Sequence, residues 1–175
     1  FREEKENREK LFDFLLSGFP QIKTLVYCIN SKQNDSIYDQ NVETYFGDGF
    51  LMEEMDGLKF KIGPKSFFQT NYKQALELYR KTLEFADLKG DEVVYDLYTG
   101  TGTIAQYVAR NAKQVIGIES VQEAINAAKE HAKLNGLSNC TFYCGDMKEI
   151  FNDEFLANHP KADVLITDPP RDGMH

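Results

Sequence analysis

Glu92-Val93-Val94-Tyr95-Asp96-Leu97-Tyr98-Thr99-Gly100-Thr101-Gly102-Thr103-Ile104-Ala105 decides the fold of this chain. An apolar, β-branched run closes on an acidic residue, glycines follow at alternate positions, and a helix-forming stretch begins at once. Strand, tight glycine turn and helix in that order open a βαβ unit. Glycines at 100 and 102 permit a close backbone approach, so a ligand can lie against free amides at the start of the helix.

The same rhythm continues downstream. Strands are expected at 92–97, Gln114–Glu119, Cys140–Cys144 and Ala162–Thr167, with helices near 102–110, 121–135 and 148–157 between them. Alternating strands and helices predict an α/β domain built on a mostly parallel sheet. Ser120 and Glu123 have capping-box spacing for the 121–135 helix, and Asn135-Gly136 supplies a left-handed stop. A doubly wound domain usually has more than four strands, so the sheet is expected to be incomplete and the chain part of a longer protein. The start without Met, and the end at Arg171-Asp172-Gly173-Met174-His175 directly after a motif, point the same way.

Upstream the pattern differs. Residues 1–16 combine mixed charge with Leu11, Phe12 and Leu15 and read as a helix; Thr24–Asn30 reads as a strand and Ser31–Gln40 as a polar connector. Asp56-Gly57 is a tight-turn signal, and beyond it Leu58, Phe60 and Ile62 alternate with polar or small residues, which predicts a hairpin over about 50–62. Gly63-Pro64 ends that strand. Tyr72, Ala75, Leu76, Tyr79, Leu83 and Ala86 then recur at helical spacing. Residues 1–70 are therefore expected to form a small α+β subdomain ahead of the α/β domain.

Composition excludes several classes. With 175 residues and 42% hydrophobic side chains the chain can bury a core, and no apolar run approaches the roughly 18 residues of a membrane helix. Cys28, Cys140 and Cys144 neither pair evenly nor carry metal-ligand spacing, so no metal is expected and a reducing compartment, the cytoplasm, is. A net charge of −8 argues against nucleic acid. Its distribution reopens the question: residues 59–81 hold Lys59, Lys61, Lys65, Lys73, Arg80 and Lys81 against Glu77 alone, and a local positive field attracts phosphate whatever the total.

Glu119 ends the second strand of the α/β region, where a carboxylate can accept hydrogen bonds from a ribose diol. With the glycine loop it indicates a nucleoside-containing cofactor. Asp96, four residues before Gly100, is placed to orient an amino-acid moiety, which fits S-adenosylmethionine better than a nicotinamide dinucleotide. Gly145-Asp146 after the third strand can bring a carboxylate toward an adenine amine, or serve only as a turn. Asp168-Pro169-Pro170-Arg171 follows the fourth strand, where the prolines stiffen the backbone and Asp168 and Arg171 can present an acceptor and a donor.

Ser66-Phe67-Phe68-Gln69-Thr70-Asn71, the loop from Asp96 to Thr103, Gly117-Ile118-Glu119, Asn135-Gly136 with Asn139 and Phe142, Gly145-Asp146 and Asp168-Pro169-Pro170-Arg171 resemble, in order and spacing, the S-adenosylmethionine-dependent RNA uracil-5 methyltransferases. The likeness covers residues 45–175 and runs toward the 23S ribosomal RNA branch. It implies a Rossmann-like methyltransferase fold, with residues 71–175 as the N-terminal part of the methyltransferase domain. It also implies that Gln69, Tyr98, Gly100, Gly102, Thr103, Glu119, Asp146 and Asp168 contact the cofactor or close its pocket, and that Gln69, Asp168 and Arg171 face the uracil. Thr99 stands where family members often carry Cys, a small-for-small exchange in the turn.

In that family a cysteine thiolate adds to uracil C6, C5 attacks the sulfonium methyl, and a carboxylate removes the C5 proton. The resemblance places nucleophile and base downstream of His175, so no catalytic residue is expected among these 175, which should bind cofactor weakly at best and transfer no methyl group. RNA, ribosomal in particular, is the implied partner, and an exposed fourth-strand edge offers a route to self-association. Two other readings stand beside this one. An exocyclic-amine methyltransferase also uses Asp-Pro-Pro, although an aromatic residue usually follows where Arg171 stands here; a catalytically silent binding module would use the cofactor domain for structure alone.

Overall fold

A computed structural model describes residues 4–32, 36, 37, 39–170 and 173. Packing divides the chain into two compact units, Phe1–Met52 with Lys61–Ser66, and Glu53–Phe60 with Phe67–His175.

In the first unit, helix α1 (Lys5–Gly18) accompanies an antiparallel pair, β1 (Leu25–Cys28) and β2 (Val42–Phe46). Phe12 meets the Tyr45 ring edge-on at a centroid distance of 4.9 Å and the Tyr27 ring at a tilt at 5.4 Å, and the Tyr45 hydroxyl donates to Asp13 Oδ1 at 2.7 Å, tying helix to strands. Strand β2 falls in a stretch to which the sequence reading assigned no element. Strands β3 (Leu51–Met55) and β4 (Leu58–Ile62) form the expected hairpin, its turn made by left-handed Asp56 (φ 51°) and Gly57 (φ 81°). The tip of the hairpin, Glu53–Phe60, groups with the second unit. Met55, Leu58 and Phe60 are buried there with Ala75, Leu76 and Tyr79 of α2 (Tyr72–Ala86) and with Tyr107.

The second unit holds a four-stranded, wholly parallel sheet in the order β7-β6-β5-β8, with β5 at Val93–Leu97, β6 at Gln114–Glu119, β7 at Cys140–Cys144 and β8 at Val164–Thr167. Each crossover carries helix: α3 (Thr103–Ala109), α4 (Gln122–Leu134), then α5 (Met147–Ile150) and α6 (Asp153–Asn158). Strand β5 is buried along its whole length and alternates, Val94 packing with Val108, Ile125 and Phe142 on one face, Val93, Tyr95 and Leu97 with Ile116, Ile118 and Phe155 on the other. Among the described residues β7 and β8 each pair on one side only.

Three local expectations change. The single helix near 148–157 is two short helices, because Asn152 caps a new start by accepting from Phe155 N at 2.9 Å. The Ser120–Glu123 capping box does not form: Ser120 Oγ donates to Glu119 Oε1 at 3.0 Å, and Val121 takes the cap position without a side-chain bond. Asn135 does more than stop α4. It accepts from Lys59 N at 2.7 Å and donates to Lys59 O at 2.9 Å and to Gln106 Oε1 at 3.0 Å, so it holds β4 and α3 together at the end of α4.

Candidate functional site

The chain order of strands turns at β5. Two βα units step outward to β6 and β7, and the next strand returns to the other side as β8. Loops leaving the carboxyl ends of β5 and β8 therefore diverge, which opens the crevice where α/β sheets bind ligands. Asp96, Gly100 and Gly102 lead out of β5 on one side of it, and Asp168 follows Thr167 of β8 on the other.

The β5 loop is built from left-handed residues, Tyr98 (φ 64°), Gly100 (φ 56°) and Gly102 (φ 77°). Gly102 is required twice, by its backbone and by space, since a Cβ there would lie 2.9 Å from Ala128 Cβ and 3.1 Å from the Phe142 ring. Gly100 differs: a Cβ there meets nothing within 4 Å, so this position faces open space. The turn is held from behind. Thr99 N donates to Ile118 O at 3.0 Å, Gly102 N to Thr99 O at 2.9 Å, and the Thr99 hydroxyl to Asp96 Oδ2 at 2.6 Å. Thr99 thus has a definite task, tying the loop to the buried carboxylate.

Asp96 is buried, and burial pushes its carboxyl up from 3.8 to about 7, against the lowering effect of the Thr99 hydroxyl and the Ala105 backbone N–H; Asp168 and Glu119 add a smaller upward push. The same field reaches Tyr79 of α2. Its phenol is raised by burial first, with Asp168 and Asp96 contributing, while its hydroxyl lies 3.3 Å from Thr103 Oγ1. Asp168 and Glu119 thus place negative charge at the end of the sheet, beside an Asp96 carboxyl that is only partly ionised near neutral pH.

Glu119 is already engaged. Oε2 accepts from Gly100 N at 3.1 Å, and Oε1 accepts from Val121 N and Ser120 Oγ, each at 3.0 Å. The two backbone donors fix the carboxylate beside the loop; the Ser120 hydroxyl is the one that can rotate away and leave a lone pair for a ligand hydroxyl. Asp146 is exposed past the end of β7, and its side chain caps α5 by accepting from Lys148 N at 2.9 Å.

The structure thus gathers Tyr98, Gly100, Gly102, Thr103, Glu119 and Asp168 at the carboxyl end of the sheet, with Asp146 at the end of the neighbouring β7. Gln69 lies half-buried just before α2 and makes no hydrogen bond to this group among the described residues, and Arg171 lies outside them. Tyr79 and His131, which touch the loop, were not among the residues singled out by sequence. Tyr79 reads as one member of an apolar stripe, and a histidine on the otherwise apolar face of α4 was the only signal for the other. The basic stretch is also partly neutralised, Arg80 pairing with Glu77 at 2.7 Å and Lys81 with Glu84 at 2.6 Å. Burial pushes the Cys140 thiol up to about 12, as expected of a core cysteine rather than a nucleophile. A groove of 550 Å³ lies elsewhere, between α4 and the outer edge of β7.

Topology and site together define a Rossmann-like fold of the S-adenosylmethionine-dependent methyltransferase type. Residues 88–170 match the protein family described as a methyltransferase domain. The chain is similar along its whole length to an uncharacterized RNA methyltransferase of Porphyromonas gingivalis, 57% identical, and over 98% of its length to one of Bacteroides thetaiotaomicron, 54% identical. It spans 38% of the length of each of these curated relatives. Among solved structures, the tRNA (uracil-54, C5)-methyltransferase of Pyrococcus abyssi in complex with S-adenosyl-L-homocysteine superposes with a TM-score of 0.74 at 29% identity, covering 91% of this chain and 38% of that one. The tRNA m1G37 methyltransferase of M. jannaschii, at 17% identity and a TM-score of 0.63 over 96% of this chain and 48% of its own, shares the fold. No helix among the described residues is long and apolar enough to cross a membrane.

Proposed function

We propose that this chain is the cofactor-binding part of an RNA methyltransferase acting on uracil C5, and that S-adenosylmethionine binds across the carboxyl ends of β5, β6 and β8. The observation that carries the reading is the left-handed glycine loop after β5, open at Gly100, with Glu119 fixed beside it and Asp168 across the switch point. A nucleoside diol fits Glu119 once the Ser120 hydroxyl turns away. A cation suits the field of Glu119 and Asp168, which favours a sulfonium ligand over a dinucleotide pyrophosphate.

When bound, the cofactor supplies an electrophilic methyl group. This chain's residues bind and orient it: Tyr98, Gly100, Gly102 and Thr103 line its path, Glu119 takes the ribose and Asp146 lies toward the adenine. Gln69, Asp168 and Arg171 form the uracil side. Uracil C5 is supported by the sequence Ser66–Asn71 taken with Asp168–Arg171, and by the likeness to the Pyrococcus abyssi enzyme. The 23S ribosomal RNA rests on sequence likeness alone. Nucleoside mass spectrometry on ribosomal and transfer RNA from a strain lacking the intact gene tests the reading. The expected result is loss of one 5-methyluridine, in the ribosomal fraction; unchanged 5-methyluridine with loss of another methylated base would overturn it.

A further inference from the structure

Helix α4 turns an imidazole into the core. His131 lies on the face made by Ile125, Ala128 and Ala132 and is 2% exposed. A polar ring so placed needs a partner, and its Nδ1 lies 3.1 Å from the Thr101 carbonyl oxygen. A carbonyl only accepts, so the hydrogen is on Nδ1 and the ring nitrogen donates. Thr101 stands between left-handed Gly100 and Gly102, in the turn closed by Gly102 N on Thr99 O. Phe60 of β4 meets the ring edge-on, centroids 5.5 Å apart at 86°, and sets its orientation.

We infer that His131 is a positioning residue for the cofactor loop, an inference that rests on the reading of that loop as the S-adenosylmethionine site. Two glycines make the loop cheap to bend and costly to hold in one shape. Fixing the Thr101 carbonyl fixes the peptide plane it shares with Gly102, and with it the aim of the amides at the start of α3. His131 thereby preorganises the loop without touching the ligand.

Donor and bulk can be separated by substitution. His131→Leu keeps most of the volume and removes the donor; His131→Asn carries an N–H at the same distance from Cβ as Nδ1 but leaves space beside Phe60. The 175-residue chain and both variants would be titrated with S-adenosylhomocysteine by heteronuclear NMR, and amide exchange at Gly102 and Thr103 followed without ligand. His131→Leu is expected to weaken binding and speed exchange roughly tenfold while β5 and β6 amides keep their protection, and His131→Asn to recover most of both. A merely packing residue would give the reverse order, Leu better than Asn, and that result would overturn the inference. If the parent chain shows no response to S-adenosylhomocysteine, the cofactor reading fails, while unchanged exchange at Gly102 in His131→Leu would sink the positioning role by itself. Should either variant not fold, the imidazole tautomer of the parent decides: Nδ1–H supports the role and Nε2–H refutes it.

Discussion

Asp96 carries a carboxyl that burial pushes up from 3.8 to about 7, and the consequence is a pH dependence of defined sign. Between those values the native chain keeps a proton that the unfolded chain releases, so this residue's contribution makes stability fall as pH rises and level off above about 7. Asp96→Asn removes the charge and is expected to flatten that fall. Urea denaturation at pH 5 and pH 8 checks it: the variant should gain on the parent at pH 8 relative to pH 5, by at most ~3 kcal/mol, and an equal difference at both pH values would count against it. The loop glycines separate stability from binding. Gly102→Ala combines a left-handed backbone with a 2.9 Å approach to Ala128 and is expected to cost about 3 kcal/mol in denaturation. Gly100→Ala, facing open space, should cost only about 1 kcal/mol yet lose cofactor binding in titration, because its methyl group enters the space assigned to the ligand. Asp96, Gly100 and Gly102 were legible in the sequence because their geometry is set by near neighbours in one βα turn, and Glu119 because it ends the next strand of the same βαβ unit. Tyr79 and His131 were not, since each reaches the loop from a helix distant in sequence, and only packing brings it there.

At the scale of elements, periodicity served well wherever one face is buried. Helix α2, the hairpin turn at Asp56-Gly57 and strands β5 to β7 lie where apolar spacing puts them. Strand β2 escaped because its burial does not alternate: Val42 and Tyr45 are half-buried while Glu43, Thr44 and Phe46 are exposed, so no period-two pattern stands out beside the polar connector. The capping box failed for a reason of competition: Glu119 holds both the Ser120 hydroxyl and the Val121 amide, so the acceptor that organises the start of α4 comes from the preceding strand. Asn135 shows the opposite case, a stop signal that also serves as a side-chain partner for a strand. Asn135→Ala is expected to release the Lys59 amide, seen as loss of exchange protection there, and to lower stability by about 1 kcal/mol while α4 itself persists. Unchanged protection at Lys59 would show that the hairpin tip is held by its apolar contacts alone.

Across the whole molecule, the decisive fact is topological. The return from β7 to β8 across β5 puts the glycine loop and Asp168 on opposite sides of one crevice, although Asp96 and Asp168 are far apart in the chain. A net charge of −8 argues against an RNA partner only until it is located, because carboxylates gather at the cofactor end while Lys59 and Lys73 lie in the stretch around α2. The central claim, that a sulfonium nucleoside occupies this crevice, is tested most directly by titrating the chain with S-adenosylmethionine and mapping amide shifts. The account predicts that Gly100, Thr101, Thr103 and Glu119 move together with Asp168, and that the groove residues Lys129, Lys133 and Thr141 do not. Shifts confined to that groove, or absent from the loop at saturating ligand, would contradict it.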